Sequence, residues 1–94
     1  IRNINSGQEE LLPVSAVFIA IGLVPDNRIF SELPLDSNGY ILAGDDCKTS
    51  LAGVFAAGDT RAKALRQILT AASDGATAAF QAASYVNTLE TALR

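Results

Sequence analysis

Gly58-Asp59, followed seven residues later by Arg66-Gln67, is the part of this sequence best equipped for chemistry. The run Thr49 to Asp59 reads as a turn at Gly53 and a short buried strand from Val54 to Ala57. It stops abruptly on a glycine followed by a carboxylate. Gly58 has no Cβ, so a ligand or a second backbone can come close to the strand end. Asp59 adds two acceptor oxygens where open α/β sheets bind their ligands. Arg66-Gln67 opens a long alanine-rich helical stretch, whose first amides carry the positive end of a dipole. Together these groups can hold a polyhydroxylated or anionic ligand between strand end and helix start. On spacing alone, a β-turn with a helix-capping aspartate is the commoner arrangement.

The elements that must position these residues follow from the hydrophobic pattern. Ile1 to Leu12 reads as a polar hairpin or strand end turning at Asn5-Ser6-Gly7, and Pro13 marks a boundary. Val14 to Ile21 is almost continuously apolar and β-branched, which predicts a strand covered on both faces, ended by Gly22-Leu23-Val24-Pro25. Asp26 to Pro34 holds one helical turn with Ile29, Phe30 and Leu33 as its buried side. Leu35 to Leu42 is strand, Asn38-Gly39 turn, strand, with Tyr40 as a packing residue. A helix is predicted from about Leu65 to Leu89. Its buried stripe is Leu65, Ile68, Ala72, Gly75, Ala76, Ala79, Ala83 and Val86, with fraying expected beyond Asn87.

Composition narrows the function classes. The 94 residues are 49% hydrophobic and 18% charged, enough for one small domain or part of a larger one. A net charge of −3 gives no reason to expect nucleic acid or an anionic membrane surface. Arg61, Lys63 and Arg66 form a local basic group that suits an anionic ligand, although a solvated helix start is the commoner explanation. The single cysteine, Cys47, sits in the polar run Asp45-Asp46-Cys47-Lys48 and reads as incidental, and with no histidine present a zinc site lacks ligands. Gly44-Asp45-Asp46 lacks the spaced oxygens of a calcium loop. There is no GxGxxG, no CxxC, no run of membrane-spanning length and no signal-peptide pattern.

Four motifs in order carry a resemblance: Ala20-Ile21-Gly22-x-x-Pro25, Asn38-Gly39-Tyr40-Ile41, Thr49-Ser50 with Gly53-Val54-Phe55-Ala56-Ala57-Gly58-Asp59, and Arg66-Gln67 with Gly75. From about Val14 to Val86 the chain resembles the C-terminal part of bacterial-type, low-molecular-weight thioredoxin reductases. The fold this implies is α/β: the C-terminal part of a Rossmann-like FAD-binding domain with a mixed sheet, a small hairpin or meander and one long C-terminal helix. Residues 1–13 would be the tail end of an NADPH-binding domain and its crossover, and residues 14–94 the FAD-domain portion, with a hinge at Gly22 to Pro25. The implied cofactor is FAD, with NADPH as co-substrate and thioredoxin as partner in a cytoplasmic parent enzyme. Gly58, Asp59, Thr60, Arg66, Gln67 and Ile68 become the expected cofactor contacts. Asp59 would bond the ribityl chain, while backbone groups of Gln67 and Ile68 would approach the pyrimidine edge.

The redox CxxC and phosphate-binding loop are expected upstream, so the resemblance implies a fragment that is inactive alone and self-associates or forms a homodimer. Ala62 departs from the family, which often has an acid there. A thioredoxin-reductase-like ferredoxin–NADP reductase, an alkyl hydroperoxide reductase flavoprotein subunit and a non-enzymatic self-associating module remain as alternatives.

Overall fold

The computed structural model describes all residues, Ile1–Arg94, in an elongated envelope of 73 × 25 × 20 Å. At one end Arg2 and Glu9 pair antiparallel around the expected turn. Asn3 Oδ1 accepts the Asn5 and Ser6 amides, and Gly7 supplies the positive φ of 70°. An Arg2–Glu9 ion pair closes the hairpin on its exposed side.

Residues 11–24 make no backbone hydrogen bonds. The strand expected over Val14 to Ile21 is therefore not formed. Val17, Phe18 and Ile21 are 76%, 94% and 94% exposed. Their β-branched and aromatic, apolar character fits a covered strand, but a strand exists only through its neighbours, and these 94 residues supply none. The mixed sheet is likewise reduced to isolated bridges: Leu35 with Ile41, Ile41 with Arg61 in parallel, and Lys48 with Phe55.

The rest of the chain condenses around Leu33, Ile41 and Ala56, with Ala43 packed against them. Of the three apolar residues predicted inside the 26–34 turn, only Leu33 is buried; Ile29 is 82% and Phe30 45% exposed. The hairpin turn forms as expected, and its lock is Asp36, whose Oδ1 accepts the Asn38 and Tyr40 amides at 2.8 and 2.9 Å. Gly39 supplies the required positive φ of 87°.

Helix α1 spans Ile68–Ala92, starting later and ending later than the periodicity predicts. Its start is set by a reciprocal capping box between Gln67 and Thr70, so Leu65 and Arg66 stay outside. Beyond Asn87 the helix continues instead of fraying, with Leu93 N–H closing on the Leu89 carbonyl. The face turned inward carries Ala71, Asp74, Ala78, Gln81, Ala82 and Tyr85. The predicted stripe looks outward instead: Ile68 is 91% and Val86 50% exposed, and nothing lies within 4 Å of a Cβ at Gly75. What turns the helix is specific contact. Asp74 pairs with Arg61 and Lys63, and Tyr85 packs edge-on against Phe55 with ring centroids 6.4 Å apart. A stripe of small residues provides neither.

Cys47 is not incidental. It is fully buried at a φ of 61°, and its thiol donates to the Asp74 carbonyl at 3.5 Å. Burial, reinforced by the negative charge of Asp74, pushes the thiol pKa up, which leaves it a poor nucleophile.

Candidate functional site

Gly58–Thr60 forms a single 3₁₀ turn at the end of the Val54 to Ala57 segment. Gly58 has φ 80°, and a Cβ there would lie 3.7 Å from the Ala71 side chain. Its N–H donates to Asp74 Oδ2 at 3.0 Å. Thr60 is held from the opposite side: its hydroxyl donates to Asn27 Oδ1, and its carbonyl accepts from Asn27 Nδ2 at 3.1 Å. Asn27 Nδ2 also reaches the Gly39 carbonyl at 2.9 Å, tying the hairpin turn to the same point. Between these two fixed neighbours, the exposed Asp59 carboxylate bonds to nothing in the chain. It does not cap α1; Gln67 does.

Arg66 folds back over this turn. Its Nε donates to the Asp59 carbonyl at 3.3 Å, and its guanidinium lies 3.6 Å from the centroid of the Tyr40 ring. Tyr40 is buried, as packing predicts, but the packing is against Arg66. Val24, Pro25, Tyr40, Asp59, Thr60 and Arg66 line one cleft of about 310 Å³. The structure thus brings together four of the six expected contacts, Gly58, Asp59, Thr60 and Arg66, around one turn and its cleft. Gln67 and Ile68 follow at the start of α1, outside the cleft lining. The Gln67 amide is taken by Thr70 Oγ1 at 3.1 Å. The Ile68 and Leu69 amides have no acceptor, as first-turn groups of a helix generally lack one.

The basic group is differently employed than its sequence position suggests. Asp74, 7% exposed, accepts Arg61 through two parallel bonds of 2.7 and 2.8 Å and Lys63 at 2.9 Å. These donors, with Arg61 foremost, hold the Asp74 carboxyl well below the usual carboxylate range despite its burial. Arg61 and Lys63 are thereby committed inside the protein, and only Arg66 of the three faces the cleft. Asp74 and Asn27 are the residues that sequence reasoning missed. The available signal for Asp74 is an acid in the alanine-rich first half of the helix, well apart from Glu90, the other acid of α1.

No three side chains of the His, Cys, Asp or Glu type gather to hold a metal, and no helix is long and apolar enough to cross a membrane. A glycine-aspartate turn followed by the start of a long helix is an arrangement that α/β nucleotide-binding folds use. The family model described as pyridine nucleotide-disulphide oxidoreductase matches residues 2–75, and the chain belongs to that family. It is 47% identical over 90 residues to a thioredoxin reductase of Treponema pallidum (strain Nichols), covering 96% of this chain and 29% of that protein. With a thioredoxin reductase of Listeria innocua it shares 49% over 88 residues, covering 93% and 28%. The crystal structure of Lactococcus lactis thioredoxin reductase in its FR conformation superposes with a TM-score of 0.77 at 38% identity, over 93% of this chain and 29% of that one. Thioredoxin reductase from T. acidophilum gives 0.74 at 33% identity, over 94% and 29%. The chain therefore spans under a third of the length of the relatives it matches, and its fold is part of the Rossmann-type fold they share.

Proposed function

We propose that these residues are the FAD-contacting C-terminal segment of an NADPH-dependent thioredoxin-disulfide reductase. The observation that carries this reading is the unpartnered Asp59 carboxylate, held between fixed neighbours at a cleft shared with Arg66 and Tyr40. A carboxylate with free acceptor capacity suits the hydroxyls of a ribityl chain. The free Ile68 and Leu69 amides at the positive end of α1 suit the edge of a flavin that gains negative charge on reduction. Such a helix end favours the reduced form by about 0.3–2 kcal/mol. FAD, when bound, supplies the hydride and dithiol chemistry between NADPH and the disulfide. Gly58 lets the backbone come close, Thr60 and Gln67 fix the two ends of the loop, and Arg66 closes its rim. The redox cysteine pair and the pyrophosphate loop come from outside these residues, as do the contacts to NADPH and thioredoxin, and the setting is cytoplasmic. Alone, the 94 residues neither retain FAD nor oxidise NADPH.

The test is a chimera in which this chain replaces the matching segment of the Treponema pallidum relative. Asp59→Asn should weaken FAD binding by about 10- to 100-fold, equivalent to ~1.5–3 kcal/mol for a charge-assisted hydrogen-bond set. Flavin absorbance retained after gel filtration measures it. Equal retention by the variant and its parent defeats the reading.

The unpaired segment 14–24 and the outward face of α1 extend the reading. Val17, Phe18, Ile21, Ile68 and Phe80 are each at least 74% exposed, more apolar surface than a monomer tolerates. We infer that the amino-terminal half of the FAD domain covers them, and that without it the chain self-associates. Sedimentation velocity on the 94 residues should then give concentration-dependent dimers or larger species. A single monomer boundary at every concentration contradicts this.

A further inference from the structure

We propose that Asp74 is a positioning residue for the cofactor site, fixing the Asp59 carboxylate at a set distance from the first amides of α1; this rests on the flavin reading of the cleft. Asp74 lies on the same helix as the Ile68 and Leu69 amides, buried on its inner face. One oxygen, Oδ2, accepts three donors from the loop ahead of the helix: Gly58 N–H at 3.0 Å, Arg61 Nε at 2.7 Å and Lys63 Nζ at 2.9 Å. Gly58 immediately precedes Asp59, and Arg61 follows it by two, so the turn is pinned to the helix on both sides of Asp59. Oδ1 takes the second arm of the Arg61 fork at 2.8 Å, which fixes orientation as well as distance. Asp74 also presents its backbone carbonyl to the Cys47 thiol, docking a second turn on the same helical residue. Asp59 itself has no bond that could hold its side chain in place, so its direction depends on this scaffold. A side chain misplaced by about an ångström loses most of a directed hydrogen bond, which gives the scaffold leverage on affinity.

The experiment is a double-mutant cycle in the chimera, using Asp59→Asn, Asp74→Asn and both together, with FAD dissociation constants and thermal midpoints recorded for each. Asp74→Asn keeps the shape and one carbonyl oxygen but removes the charge. If Asp74 acts through Asp59, Asp74→Asn weakens FAD binding about tenfold in the parent and less than twofold once Asp59 is Asn. Equal losses in both backgrounds, or no loss in the parent, would overturn the positioning role and leave a residue of stability only. Asp59→Asn without effect would remove the flavin reading, and this inference with it, so the two failures are distinguishable. Should Asp74→Asn fail to fold, Lys63→Gln loosens the same oxygen more gently. The same cycle then applies, with additivity again the overturning result.

Discussion

Asp74→Ala should destabilise the folded part of the chain by about 3–5 kcal/mol, the usual cost of breaking a buried ion pair by removing one partner. Arg61 and Lys63, with side chains only 7% and 8% exposed, would be left facing each other. The nearest remaining counter-charge, Asp45 at 3.5 Å from Arg61, is fully in solvent and cannot replace a buried carboxylate. The Gly58 amide would lose its acceptor as well. With an apolar core cluster of only three buried residues and typical domain stabilities of ~5–15 kcal/mol, a loss of this size should abolish a cooperative urea transition monitored by circular dichroism. A shallow loss under about 1 kcal/mol would mean that the cations escape to water at little cost.

The pH dependence carries an independent sign. The fold holds the Asp74 pKa below its unfolded value, so its stabilisation is complete above about pH 4 and is lost as pH falls towards the folded pKa. The parent chain should therefore weaken steadily between about pH 4 and 2, and Asp74→Asn, which keeps the shape without the charge, should show a flatter acid limb from a lower starting point.

Local chemistry was legible in the sequence; pairings across distance were not. The turns at Gly7, Gly39, Gly53 and Gly58 all adopt the positive φ that makes glycine necessary, and the aspartate-arginine spacing reappears as one cleft. Each is decided by neighbours within about ten residues. Cys47 lies buried with its thiol on the Asp74 carbonyl, 27 positions away, and nothing in the polar run around it signals that contact. The helix is legible but its inward face is not: apolar periodicity selects Ile68 and Val86, whereas an ion pair and an aromatic contact select Asp74 and Tyr85. Val14 to Ile21 has the composition of a strand without a sheet to join. Its outward face and that of α1 mark where apolar periodicity describes a larger domain than these residues build.

Gly53 and Gly58 provide the second large expected effect, because they share a φ of 80° and differ in surroundings. At Gly58 an added Cβ meets only Ala71 at 3.7 Å, so Gly58→Ala should cost little beyond the left-handed backbone penalty of about 1–2 kcal/mol. At Gly53 the same atom would lie 2.9 Å from Tyr85 Cε1 and 3.3 Å from its Cζ. The ring cannot swing aside freely, because its edge contact with Phe55 joins the 48–55 hairpin to α1. Overpacking adds about 1–3 kcal/mol, so Gly53→Ala should cost ~2–5 kcal/mol in all. Tyr85→Ala supplies the control. It is destabilising alone, but in its presence Gly53→Ala should fall to the cost of Gly58→Ala, a coupling of at least about 1 kcal/mol. Equal losses at the two glycines, or strict additivity with Tyr85→Ala, would show that the ring yields without cost and that the hairpin is joined to the helix chiefly through Cys47 and Asp74.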